Sequence, residues 1–127
     1  MELLLEAERF AARAGRRWVM EVVRGSGALP GTAGELVELL AGELLANAVV
    51  HGPPSGAVAV TVTRRGDEIR VAVRDESPEA PRRKDAAPTA VGGRGVALVD
   101  ALSTRWGVDD HGADGKTVWF VLDVGAS

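Results

Sequence analysis

The chain contains no cysteine, which excludes disulfides and thiolate metal sites and fits a reducing cytoplasm. It also lacks any uninterrupted apolar run approaching the ~20 residues of a membrane span. No basic region at the start leads into a hydrophobic signal core, so no secretory leader is expected. Lysine is scarce while alanine, glycine, valine and arginine are abundant, a bias typical of a GC-rich genome. The formal net charge is -3 with both signs well mixed, leaving no broad basic face to neutralise phosphates; direct contact with nucleic acid is not expected. These absences predict a soluble cytoplasmic protein with no membrane contact.

The 127 residues are the size of a single domain, 1–127, able to bury roughly two-thirds of its unfolded surface in one core. Met1 to Leu5 is a short apolar run that fits either an edge strand or the tip of a following helix. From Glu6 to Arg24 apolar positions recur at Phe10, Ala14 and Trp18, with Ala11, Val19, Val22 and Val23 beside them, a helical period closed by Gly25, Ser26 and Gly27. Pro30 and Gly31 turn the chain. Thr32-Ala33-Gly34-Glu35 then has the pattern of a capping box opening a second helix, which runs to His51 and is closed by Gly52 and Pro53. Its interior Gly42 costs about 1 kcal/mol of helix propensity relative to alanine, unless a neighbouring backbone needs the room.

Val58, Val60 and Val62 alternate with Ala59, Thr61 and Thr63. After the Gly66-Asp67 turn, Ile69, Val71 and Val73 alternate with Arg70, Ala72 and Arg74, which makes two antiparallel strands. Asp75 stands where the second strand opens into a loop. Glu76 to Gly93 is rich in proline, alanine and charge without periodicity, a length more often functional than accidental. Gly92-Gly93-Arg94-Gly95 opens a helix with Val96, Leu98, Val99 and Leu102 as its apolar positions. Arg105 to Val108 and Thr117 to Val124 form a final hairpin. No internal repeat is visible. The order predicts an α+β two-layer sandwich: a mixed, mainly antiparallel sheet with helices on one face.

The most informative stretch runs from Glu43 to Gly52. Glu43, Asn47 and His51 follow at i, i+4, i+8 and stack on one stripe of a helix, while Leu40, Leu44, Leu45, Ala48 and Val49 belong to a core. A carboxylate, an amide and an imidazole beside a buried surface can hold a metal ion and move a proton. Taken singly, Glu43 also fits a solvated helix residue and His51 a complement to the helix dipole; Asn47 is a poor residue for a helix interior, which favours a role in binding. The glycines from Gly92 to Gly95 would let backbone N–H groups at a helix start approach phosphate oxygens. They are not a Walker A loop, because no Lys-Ser or Lys-Thr follows. Trp18, Trp106 and Trp119 read as core or half-buried residues, and Arg82, Arg83 and Lys84 as either a solvated loop or a phosphate or partner contact.

The order Glu-x-x-x-Asn on a helix, Asp after a strand, Gly-Gly-Arg-Gly at a helix start and Gly-Lys-Thr entering the last strand resembles the Bergerat-type (GHKL) ATPase superfamily of gyrase B, Hsp90, histidine kinases and MutL. The likeness spans Phe10 to Val124 and is closest to the stand-alone anti-sigma factors with serine-protein kinase activity found in actinomycetes. It implies ATP and Mg²⁺ as ligands. By this resemblance Asn47 would bind Mg²⁺, Glu43 would be the general base, and Asp75 would accept a hydrogen bond from the amine of adenine. Gly93, Arg94, Gly95 and Val96 would meet the phosphates, Thr117 would support Asp75 and adenine, and the segment from 79 to 91 would be the ATP lid. A sigma factor and an antagonist protein are the implied partners, and a homodimer is the implied assembly.

The chain departs from the superfamily in two places. Asp75-Glu76-Ser77-Pro78 replaces the usual glycines after the aspartate, and Val50 stands where many relatives carry a basic residue. Two other readings are weighed: a nucleotide-binding interaction module without turnover, and a histidine-kinase catalytic fragment, which a missing phosphoacceptor helix and a short lid disfavour.

Overall fold

The computed structural model describes residues 1–6, 10–51, 56–76 and 91–125, with the backbone alone for His51 and for 91–96. The elements are β1 (Glu2–Glu6), α1 (Ala11–Gly25), α2 (Ala33–His51), β2 (Ala57–Arg65), β3 (Glu68–Asp75), α3 (Val91–Leu102), β4 (Arg105–Asp110), a short 3-10 turn (Gly112–Asp114) and β5 (Lys116–Asp123). The strands form one sheet in the order β1-β2-β3-β5-β4, and every pairing is antiparallel. The expected α+β sandwich is present, although among the described residues its sheet is antiparallel throughout instead of mixed.

Strict alternation builds one buried face. Val58, Val60 and Val62 of β2, Ile69, Val71 and Val73 of β3, and Val118, Phe120 and Leu122 of β5 all lie in the core, because a pleat with period two sends every second side chain the same way. The helices cover this face with Val19, Met20 and Val23 from α1, Val37, Leu40, Ala41, Leu44, Leu45 and Ala48 from α2, and Val99 from α3. Burying each large aliphatic side chain stabilises the fold by about 1.5–3 kcal/mol. Helix α2 lies between α1 and α3 and touches β3 and β5 beneath it, which explains why it is apolar over so much of its circumference.

Three expectations are resolved or corrected. Met1 to Leu5 forms an edge strand on β2, with Leu3 opposite Val60. Because Glu6 belongs to that strand, the first helix begins at Ala11. Its buried stripe is Ala11, Gly15, Val19, Met20 and Val23, whereas Phe10 and Ala14 are exposed. Gly15 allows the close approach: a Cβ there would come within 2.9 Å of Leu45 and 3.1 Å of Leu5, so a larger residue requires those leucine methyl groups to shift for α1 to stay this close to α2. At Gly42 the near neighbour is the side chain of Arg16, and no backbone of the described residues outside α2 comes within 4 Å.

The opposite face of the sheet carries Trp119, which lies across Gly107 on β4; a Cβ on Gly107 would fall 2.6 Å from the indole ring. Arg70 places its guanidinium 5.3 Å from the ring centroid, a cation–π contact. On the helix side Trp106 donates its indole N–H to Asp100 at 2.8 Å and ties β4 to α3. No helix among the described residues is long and apolar enough to cross a membrane.

Candidate functional site

Asp75 is the last residue of β3 and Lys116 the first of β5, directly opposite each other in the antiparallel register. Counting on by two from Val73 and back by two from Val118 puts both side chains on the helix-facing side of the sheet. The ammonium of Lys116 lies 2.9 Å from Oδ2 and 3.1 Å from Oδ1 of Asp75. Their side chains are 3% and 2% exposed. A buried acid at a strand end is thus held by a buried base.

Two local devices shape the chain around this pair. Glu76, next after Asp75, accepts a hydrogen bond from the backbone N–H of Ala57, which pins the exit of β3 to the entry of β2. Gly115, just before Lys116, has φ +105, and a Cβ there would sit 2.0 Å from the backbone oxygen of Asp75. That approach and that dihedral are open to glycine alone among ordinary residues.

Helix α2 carries two further candidate residues. Asn47 is 4% exposed and Glu43, one turn earlier on the same stripe, is half-buried. Helix α3 starts at Val91, so Gly93 stands in its first turn, where backbone N–H groups have no partner within the helix and the dipole favours anions, whereas Arg94, Gly95 and Val96, expected to meet phosphates as well, follow where the i→i−4 bonds begin. The segment expected to form a lid, 79 to 91, falls outside the described residues apart from Val91, as do Arg82, Arg83 and Lys84 and the side chain of His51.

Thr117 is placed differently from the expectation. It pairs with Arg74 across the sheet and its hydroxyl lies 2.9 Å from Nε2 of His111, on the face turned away from the helices. The position beside Asp75 belongs to Lys116. A sign of this was present in the sequence: Val118, Phe120 and Leu122 are the large apolar residues of the strand, and their alternation extends backward to 116.

The donor set decides what could bind here. Among the described residues no three carboxylates or imidazoles cluster, so there is no all-protein cage for a cation. Mg²⁺ is satisfied by one or two protein oxygens together with phosphate oxygens and water, and Asn47 with Glu43 nearby fits that arrangement.

The sequence matches the family described as histidine kinase-like ATPase domain over residues 5–122. The chain belongs to that family. A histidine kinase domain from the Erythrobacter litoralis EL346 blue-light activated histidine kinase is 27% identical with a TM-score of 0.56, covering 73% of this chain and 45% of its own. Full-length ShkA in complex with AMPPNP is 18% identical with a TM-score of 0.59, covering 98% of this chain and 32% of its own. The mycobacterial sensor histidine kinase MprB is 16% identical with a TM-score of 0.56, covering 94% and 97%. This ATPase-type domain therefore spans less than half the length of the first two. No curated protein matches.

Proposed function

We propose that this domain is an ATP-binding regulator of the anti-sigma type, which transfers the γ-phosphoryl group of ATP to a serine of an antagonist protein and sequesters a sigma factor. The observation that carries the ATP part is Asp75: an acceptor-only carboxylate, 2% exposed, at the strand end where an adenine amine would be met. The kinase part rests on Glu43 and Asn47 one turn apart on α2 and on the likeness to stand-alone serine kinases of this superfamily.

Each residue has a task in that chemistry. Asp75 would select adenine, because the carbonyl of guanine at the same place would face a carboxylate. Asn47 would hold Mg²⁺ through its amide oxygen, and the ion would supply charge neutralisation on the phosphates. Glu43, half-buried and thus within reach of a substrate protein, would take the proton of the serine hydroxyl as its oxygen bonds to the γ-phosphorus and the bond to the bridging β–γ oxygen breaks. Backbone N–H groups of the first turn of α3, Gly93 among them, would face the phosphates.

Isothermal titration with Mg·ATP tests the first step. Measurable binding by the wild type, weakened in a folded Asp75→Asn variant, is expected; binding unaffected by that change sinks the role of Asp75. For transfer, Glu43→Ala should bind Mg·ATP as before and label the antagonist at least 100-fold more slowly, in the range typical of losing a general base. One observation favours a second reading, an interaction module that has lost nucleotide binding: Lys116 already lies against both oxygens of Asp75. Undetectable binding of Mg·ATP is the result that reading expects.

A further inference from the structure

The Asp75–Lys116 pair is not accounted for by stability. Removing two charges from water costs about as much as their attraction returns, and two apolar side chains of similar volume would serve the fold as well. A buried acid and base held together at the ends of two adjacent strands is instead the kind of arrangement met at functional sites. The family likeness supplies a task for the carboxylate and none for the ammonium.

The chemistry of the ammonium suggests one. Lys116 carries three N–H donors on a single nitrogen, and among the described residues it donates to Asp75 alone. At least one proton is therefore available to another acceptor. The pair thus presents a carboxylate acceptor and an ammonium donor side by side, 2.9 Å apart. The edge of adenine offers the complement at neighbouring atoms: the exocyclic amine donates and ring nitrogen N1 accepts.

We propose that Lys116 is a second base-reading residue, donating to N1 of adenine while Asp75 accepts from the amine. The inference rests on the reading of Asp75 as the adenine-binding residue. It replaces the hydroxyl and water contacts expected of Thr117, whose side chain lies on the other face, with one direct charge-assisted hydrogen bond. It also sharpens selectivity. Guanine carries an oxygen in place of the amine and a hydrogen on N1, so in the same seating the carboxylate meets an acceptor and the ammonium meets a donor. Both contacts become repulsive, which rejects the wrong base more strongly than either residue acting singly.

The test compares Mg·ATP with Mg·1-deaza-ATP, in which N1 is replaced by C–H and the amine is kept, by titration calorimetry on the full chain. The wild type should bind 1-deaza-ATP about 10- to 100-fold more weakly, the range for losing a hydrogen bond to a charged group. In Lys116→Met the affinity for ATP should fall by a similar factor, and the ratio between the two nucleotides should shrink to about one. Lys116→Gln keeps an N–H donor and should retain part of the ratio. Thermal melting reports whether each variant folds; should neither fold, the wild-type ratio decides without them. Wild-type binding of ATP and 1-deaza-ATP within about twofold of each other overturns the proposal, as does a folded Lys116→Met that keeps the wild-type ratio. Wild-type protein that binds neither nucleotide overturns the ATP reading itself, and this one with it.

Discussion

The backbone oxygen of Asp75 lies 2.0 Å from the point where a Cβ on Gly115 would stand. This contact couples the two strands that carry the buried ion pair, because β5 can enter beside β3 only if its preceding residue has no side chain. Gly115 also has φ +105, which penalises any other residue independently of space.

Gly115→Ala should therefore destabilise the protein by about 2 kcal/mol or more, combining a strained dihedral with a clash against backbone. Gly25→Ala provides the control, since, its own helix and chain neighbours aside, none of the described residues lies within 4 Å of its Cβ position; as the last residue of a helix it should be neutral or stabilising by up to about 1 kcal/mol. Urea unfolding of the two variants checks the contrast. Equal midpoints would show that the strands can part at Gly115 without cost.

Removing either member of the Asp75–Lys116 pair leaves the other charge buried and uncompensated. Lys116→Met alone should cost about 3–5 kcal/mol. The double variant Asp75→Asn, Lys116→Met holds no such charge and should recover most of the loss, so the two effects will not add. Denaturant melts of the wild type, both single variants and the double variant complete the cycle; strictly additive losses would mean that the pair contributes no coupling.

A second ion pair behaves differently because it faces water. Arg105 meets Glu68 at 2.9 Å and 3.2 Å across both carboxylate oxygens, and these hydrogen bonds together with the guanidinium charge hold the carboxyl of Glu68 below its usual 4.5. A lowered folded-state value means that the stabilisation is fully present above pH 4.5 and is lost as pH falls through the lowered value. Glu68→Gln should thus narrow the stability difference between neutral and acid pH. The difference should vanish in about 1 M salt, where the screening length is only ~3 Å. Acid titrations at low and high ionic strength will measure it.

Trp119 reports on the open face of the sheet. Gly107→Ala places a methyl group where the indole now lies, 2.6 Å from the ring, and should lift Trp119 away from β4 and from Arg70. The expected signal is a changed environment for one of the three tryptophans, seen as a red-shifted emission that is absent when Trp119 is replaced by Phe. Stability should fall by about 0.5–2 kcal/mol, since a flexible side chain can yield where backbone cannot.

Much of the architecture was legible from local pattern. The alternation from Val58 to Val62 and from Ile69 to Val73 marked two strands that pair across the Gly66-Asp67 turn, and the helical period placed Glu43 and Asn47 one turn apart on α2. The glycines from Gly92 to Gly95 marked the start of α3 to within a residue. These features depend on neighbours in sequence. Misreadings arose where distant segments meet: Phe10 and Ala14 shared the helical period of α1 with the true core, but docking against Leu45 and Leu5 turned the helix until Gly15 faced inward.

The sequence by itself determined the order of elements from α1 onward, the acidic and amide groups on one helix face, and the aspartate closing β3, because turn chemistry and the periods of 3.6 and 2 are written residue by residue. Only the tertiary structure decided who stands beside that aspartate. A step of one residue along a strand reverses the face, and the pairing of Asp75 with Lys116, 41 positions apart, is fixed by strand register. That register sets a lysine beside the aspartate, where a threonine was expected.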